Sequence, residues 1–133
     1  MNMKTRWLYI IHSVIALMIG GCIYLLFREH TYLHRIIGIS PPLLADAQFF
    51  GDDFLRYYFP DFLWSYSLYC GLCGIICPTG RRWIWPVAFT LGLGLIWELA
   101  QYFSWVSGTG DVADTLMYGA AVAVAKIIFW RKN

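Results

Sequence analysis

Residues 83–103 read WIWPVAFTLGLGLIWELAQYF, and this apolar stretch is long enough to cross a bilayer as a helix of about 20 residues. Three further apolar runs, at about 7–27, 61–77 and 112–130, have similar lengths. Only helices or closed barrels satisfy every backbone group in lipid. The four runs lack the alternation of apolar and polar residues that is typical of barrel strands. The sequence therefore predicts an all-α fold, a polytopic membrane four-helix bundle, with residues 1–133 as a single integral membrane domain.

The amino-acid composition supports this class. Of 133 residues, 59% are hydrophobic and only 14% are charged, against roughly 25% charged in soluble domains. A net charge of +2 is too small to favour nucleic-acid binding. Because nucleotide loops and nucleophile elbows are missing, we expect no cofactor. The expected partners are membrane lipids, and the sequence gives no oligomeric state.

Charged residues predict the orientation, because lysine and arginine concentrate on the cytoplasmic side of membrane proteins. Most basic residues flank the spans on one side: Lys4, Arg6, Arg81, Arg82, Lys126, Arg131 and Lys132. The acids fall on the opposite side or in that half of the membrane: Glu29, Asp46, Asp52, Asp53, Asp61, Glu98, Asp111 and Asp114. The pattern predicts a multi-pass membrane protein with both termini in the cytoplasm and its polar chemistry facing outward.

The connection between the first two runs predicts an additional helix at about 41–59. Its apolar residues recur at three- and four-residue spacing: Leu43, Leu44, Ala47, Phe50, Phe54 and Tyr58. Pro41 and Pro42 would open the helix and Pro60 would end it. This spacing predicts an amphipathic helix that lies in the outer interface or re-enters the membrane. It would serve either as a structural cap or as a lid.

Four polar residues stand out near the ends of the last two runs: Glu98, Gln101, Asp111 and Asp114. Ionisable groups within membrane helices are costly, so they usually mark a cavity, a partner or a reaction site. Glu98 and Asp114 are candidate acid and base residues, because two acids in one dry site push the pKa of one of them upward. The alternative is a structural network with Gln101 and Tyr118, and capping of the last helix alone would explain Asp111.

Candidate ligand-binding residues surround this pair: Gln101, Asp111, Tyr118, Arg28 and Arg35. The two arginines are included because a planar guanidinium suits phosphate and carboxylate groups. His30 and His34 have the i, i+4 spacing of metal ligands, but no further ligand motif accompanies them, so no metal site is predicted. Cys70, Cys73 and Cys77 lie within an apolar run, where we expect them to pack.

The arrangement Glu98-x-x-Gln101, a short turn, and Gly108-Thr109-Gly110-Asp111-x-x-Asp114 with Tyr118 and Gly119 resembles the signature of VanZ-like membrane proteins. The founder of that family is associated with teicoplanin resistance. The resemblance covers residues 95–121, and Glu98, Gln101 and Asp114 match its polar positions. Many members have an arginine in the turn and an asparagine one helical turn after the second aspartate, where this chain has Gly-Thr-Gly and Tyr118. The chain thus resembles a divergent member.

The resemblance implies a cell-envelope protein of the bacterial cytoplasmic membrane. Its outward acidic cavity would bind a lipid, a glycopeptide or a cell-wall precursor, with a link to teicoplanin tolerance. Two alternatives belong to other classes. The first is a small membrane enzyme that acts on a lipid-linked substrate and uses Glu98 and Asp114 as acid and base. The second is a structural membrane subunit without a ligand.

Overall fold

The computed structural model describes residues 1–27, 36, 38, 51, 53–106 and 111–129. Within these ranges the regular structure is helical and no strand occurs, which confirms the predicted all-α class. The elements are α1 (Met3–Phe27), a π-helical turn (Phe54–Tyr58), α2 (Phe59–Ile76), a 3-10 turn (Gly80–Trp83), α3 (Ile84–Tyr102) and α4 (Val112–Phe129). Most of the predicted amphipathic segment at 41–59 lies outside the described residues, and its last part forms the π-helical turn.

Three helical segments of the described chain are long and apolar enough to cross a membrane, namely Met3–Phe27, Gly80–Tyr102 and Val112–Phe129. This finding is consistent with a multi-pass membrane protein. The second predicted span corresponds to α2, which has 18 residues but is not in this set. This helix has Asp61 in its first turn, and Ser65, Tyr66 and Ser67 are buried in its middle. A helix enclosed by other helices can include such groups because its neighbours supply their partners.

Helix α2 lies at the centre of the described fold and packs against α1, α3 and α4. α1 runs antiparallel to it. Ser13 Oγ donates to the Ser67 carbonyl oxygen, and Ser67 Oγ donates to the Ser13 carbonyl oxygen, both at 2.8 Å. A Cβ atom at Gly74 would lie 2.7 Å from Ile10 Cγ1, so glycine permits the close approach of these helices. Small residues and interhelical hydrogen bonds are typical of helix packing in lipid.

Aromatic packing joins the start of α1 to the end of α4. The ring of Tyr9, near the start of α1, stacks on Phe129 at the end of α4 with a centroid distance of 3.8 Å. Tyr9 also lies 6.3 Å from the ring of Trp83 in the 3-10 turn. Both stacked rings are about 1% exposed. The start of α1, the end of α2, the start of α3 and the end of α4 therefore share one end of the molecule.

This arrangement separates the charges along the helix axes. The basic residues at the end marked by Tyr9 and Phe129 are Lys4, Arg6, Arg81, Arg82 and Lys126. The described acids lie at the other end: Asp53, Asp61, Glu98, Asp111 and Asp114. Arg56 also lies there, because its guanidinium contacts the ring and carbonyl oxygen of Phe27. The geometry thus agrees with the charge separation read from the sequence.

The cysteines behave as packing residues. Cys70 and Cys73 are fully buried in the core, as predicted, and Cys77 is half-buried. Cys77 adopts a left-handed backbone conformation with φ 49°, and α2 ends there.

Candidate functional site

Three helices and the π-helical turn bring acids and phenols to the end opposite the Tyr9–Phe129 stack. We call this set the acidic end; it consists of Tyr58, Asp61, Glu98, Asp111, Asp114 and Tyr118. Asp61 lies in the first turn of α2, Glu98 near the end of α3, and Asp114 in the first turn of α4. Antiparallel packing of α3 and α4 explains why residues far apart in sequence meet here.

Glu98 is the buried centre of the acidic end, with 8% of its surface exposed. Its Oε2 accepts a hydrogen bond from the Asp111 backbone N–H at 3.0 Å, and its Oε1 accepts one from the Tyr118 hydroxyl at 2.6 Å. Two donors offset the cost of removing a carboxylate from water. The first donor lies at the start of α4, where the helix dipole also favours a negative group. Glu98 therefore ties the end of α3 to the beginning of α4.

Gly94 makes the contact between Glu98 and Tyr118 possible. It lies one helical turn before Glu98, so both residues are on the face of α3 that meets α4. A Cβ atom at position 94 would lie 2.8 Å from Tyr118 Cε2 and 3.0 Å from Cγ, closer than real Cβ atoms come. The missing side chain gives the tyrosine ring its space. At Gly92, by contrast, a Cβ atom would meet nothing within 4 Å.

Asp111 caps α4. Its Oδ1 accepts a hydrogen bond from the Ala113 N–H at 3.0 Å, and its carbonyl oxygen accepts one from the Asp114 N–H at 3.2 Å. This is the capping role that the sequence offered for Asp111, and it satisfies backbone donors that a helix start leaves unpaired. The side chain itself is exposed, so capping does not remove Asp111 from the surface of the acidic end.

Tyr58 faces the same acids from the π-helical turn. The Asp111 carboxylate raises the pKa of the Tyr58 phenol, with smaller contributions from removal from water and from the charge of Asp114. A hydrogen bond between the Tyr58 and Asp111 side chains adds to the effect. The apolar spacing placed Tyr58 only on one face of an amphipathic helix. Tyr58 is the last residue of the π-helical turn, a conformation frequent at functional sites.

Asp61 is a second residue of the acidic end that was not among the predicted site residues, although the sequence placed it among the outward acids. The Asp61 and Asp114 carboxylates both act electrostatically on the Tyr118 phenol. Each of these aspartates is half-buried. One feature of the sequence indicated its location. Asp61 directly follows Pro60 in the first turn of an apolar helix, and the predicted orientation puts that turn at the outer end of the molecule. Its proximity to Tyr118 depends on the packing of α2 against α4.

The predicted site residues divide into three groups. Glu98, Asp111 and Tyr118 are in direct contact, and Asp114 lies near them. Gln101 is half-buried in the last turn of α3, three residues after Glu98. The two hydrogen bonds to Glu98 come from Asp111 and Tyr118, not from Gln101. Arg28 and Arg35, the predicted phosphate ligands, lie outside the described residues, as do His30, His34 and residues 107–110.

The chemistry of the acidic end is that of several carboxylates and phenols near one surface. Such groups attract amines and accept hydrogen bonds from hydroxyl and amide donors. Within the described ranges, no three His, Cys, Asp or Glu side chains converge closely enough to hold a metal ion. The two oxygens of Glu98 are already engaged by protein donors, so the positioning of α4 is its most direct role.

The resemblance to VanZ-like proteins rests on residues 95–121 and stays a prediction. Comparison with known proteins found no family model that matches this chain, no similar curated protein and no similar solved structure.

Proposed function

We propose that this chain is a VanZ-like protein of the bacterial cytoplasmic membrane that binds a cell-envelope ligand at its acidic end. The ligand is a lipid, a glycopeptide or a cell-wall precursor, and binding contributes to teicoplanin tolerance. The observation that supports the proposal most strongly is the buried Glu98, held by Tyr118 and by the Asp111 N–H, with Asp61 and Asp114 acting on the same tyrosine. Such a group of acids in an apolar chain is costly and marks a functional site by default.

The proposed membrane arrangement has four spans. α2 crosses as the central helix of a bundle, because α1, α3 and α4 pack against it and its Ser67 hydrogen-bonds to Ser13 of α1. The basic end is cytoplasmic, according to the positive-inside tendency, so both termini are cytoplasmic and the acidic end faces outward. The segment at 41–59 is interfacial or re-entrant, and its helical final part already places Tyr58 beside Asp111.

The charge of the acidic end indicates which part of a ligand it would bind. Carboxylates pair with amines, and carboxylate and phenol oxygens accept hydrogen bonds from sugar hydroxyls and peptide N–H groups. These donors occur together in glycopeptides and in cell-wall precursors. A phosphate, in contrast, would be repelled by the acids unless basic residues accompanied it.

The proposal is tested by the teicoplanin susceptibility of a sensitive host that expresses the chain. The parent, Glu98→Gln and Asp114→Asn are compared at equal membrane abundance, with Asp53→Asn as a control that removes one exposed acid outside the Glu98 contacts. We expect the parent and the control to raise the inhibitory concentration and the two site variants to lose that protection. A parent that gives no protection at good expression would contradict the link to teicoplanin.

Acid–base catalysis on a lipid-linked substrate is the second candidate. It is favoured by one observation, the presence of Asp61 and Asp114 around the Tyr118 phenol, which resembles a set of proton-transfer groups. The same variants separate the candidates. An enzyme loses turnover when Asp114 becomes asparagine while it keeps substrate affinity, whereas a binding protein loses affinity itself.

A further inference from the structure

Arg6 is held in a fixed position at the end of the molecule opposite the acids. Its Nε donates a hydrogen bond to the Gly74 carbonyl oxygen at 3.1 Å. Gly74 lies in the last turn of α2, where carbonyl oxygens have no partner within the helix. A Cβ atom at this glycine would lie 2.7 Å from Ile10 Cγ1, so only the absence of a side chain brings α1 close enough for the contact. The guanidinium group is therefore positioned before any ligand arrives.

Two further arginines lie at the same corner. Arg81 and Arg82 are exposed in the 3-10 turn directly before Trp83. Trp83 contacts Tyr9, which follows Arg6 by three residues on one face of α1. The turn is ordered by a hydrogen bond from the Arg82 N–H to the Thr79 carbonyl oxygen at 3.0 Å. We call Arg6, Arg81 and Arg82 the basic corner.

The basic corner has no acidic counterpart in the described part of the chain. All described acids lie at the other end, and Lys4 and Lys126 add positive charge at this end. Concentrated positive charge without carboxylates attracts an anion. Guanidinium groups favour phosphate because their planar fork donates two parallel hydrogen bonds.

Apolar side chains beside the basic corner indicate the source of that phosphate. Trp7 and Trp85 are 56% and 66% exposed, and Met3 and Ile84 are also exposed. Tryptophan rings of this kind collect at the headgroup level of a bilayer. A soluble phosphate would use only the arginines, whereas a phospholipid would also cover these apolar side chains with its acyl chains.

We propose that the basic corner is a binding site for the headgroup of an anionic phospholipid. Arg6 is the fixed arm, and Arg81 with Arg82 forms the second arm across the headgroup. The proposal rests on the membrane location of the chain but not on ligand binding at the acidic end. It extends a general attraction of basic residues to anionic lipid into a site with a defined position in the fold.

Native mass spectrometry tests the proposal. The full-length chain is purified in mild detergent with equal amounts of phosphatidylglycerol and phosphatidylcholine, and the retained lipids are counted. We expect retention of phosphatidylglycerol over phosphatidylcholine by about fivefold or more, the effect of one basic side chain at an anionic surface. The preference should fall toward one in Arg6→Gln and in the Arg81→Gln, Arg82→Gln double variant. Equal retention by the parent, or an unchanged preference in both variants, would overturn the proposal.

Three controls test whether the lipid preference belongs to the basic corner. Arg56→Gln removes one positive charge at the opposite end and should leave the preference unchanged; a loss there equal to that of Arg6→Gln would reduce the effect to net charge. Asp53→Asn, the control of the teicoplanin test, removes one exposed acid at the other end and should also keep the preference; the lipid measurement does not depend on the outcome of the teicoplanin test. Millimolar inorganic phosphate should not displace the lipid, and complete displacement would assign the corner to a soluble phosphate instead.

Discussion

The α1–α2 interface and the α3–α4 interface each combine a glycine with interhelical hydrogen bonds, but only the second contains a charged group. Gly74 and the Ser13–Ser67 pair join α1 to α2 with neutral groups that satisfy each other. Gly94 and Glu98 join α3 to α4 with a carboxylate that needs donors from two places on α4. A neutral pair suffices for packing alone. The charged contact costs more to bury and lies near other acids, which is why function is expected there.

Removal of the Glu98 side chain should break the charged contact most severely. In Glu98→Ala the Tyr118 hydroxyl and the Asp111 N–H both lose their acceptor, which should lower the free energy of unfolding by about 3 kcal/mol. Glu98→Gln keeps an acceptor for one donor and should cost about 1 kcal/mol. Equilibrium unfolding in mixed detergent micelles measures both values. Equal losses in the two variants would contradict this account, because the acceptor that glutamine retains would then contribute nothing.

A methyl group at Gly94 should have the next largest effect. The added Cβ overlaps the Tyr118 ring, and overpacking of this kind costs about 1 to 3 kcal/mol. Gly94→Ala should therefore lower the unfolding temperature. Gly92→Ala is the matched control two residues away, where the new Cβ meets nothing within 4 Å and the higher helix propensity of alanine gives no loss. Similar stability of both variants would contradict the close approach of α3 and α4.

The neutral contact should show the smallest effect. Ser13→Ala and Ser67→Ala each remove one of the reciprocal hydrogen bonds between α1 and α2, at a cost of about 0.6 kcal/mol for an interhelical bond in a membrane protein. Because the serines also contact each other at 3.2 Å, their effects should not add. A double-mutant cycle of unfolding free energies checks this. Strict additivity would show that the two serines act independently.

The helices were accessible from the sequence because their apolar length is a local property. The prediction found the last three helices within a few residues, and the first was predicted at 7–27 where the structure has Met3–Phe27. Three of the four missed residues are polar, namely Lys4, Thr5 and Arg6. Asn2 Oδ1 accepts a hydrogen bond from the Thr5 N–H at 2.7 Å and helps to start the helix. Hydropathy detects the part of a helix that suits lipid, whereas capping extends the helix beyond it.

The candidate site was only partly predictable. Glu98, Asp111 and Tyr118 belong to adjacent helices joined by a short turn, so their spacing already predicted that they meet. Tyr58 and Asp61 come from a different part of the chain, and their approach depends on how α2 packs against α4. The π-helical turn that contains Tyr58 has no signature in the period of apolar residues. Contacts across distant segments require the tertiary structure.

The polar content of α2 has a consequence for how the chain enters its membrane. A helix with Ser65, Tyr66 and Ser67 on its buried side would leave these polar groups without partners if it entered the lipid alone. α1 supplies the hydrogen-bond partner of Ser67 through Ser13, and His12 Nδ1 of α1 lies 2.8 Å from the Tyr66 hydroxyl. During biosynthesis, we therefore expect α1 to wait beside the translocon until α2 emerges, and the two to move into the bilayer together as a helical hairpin.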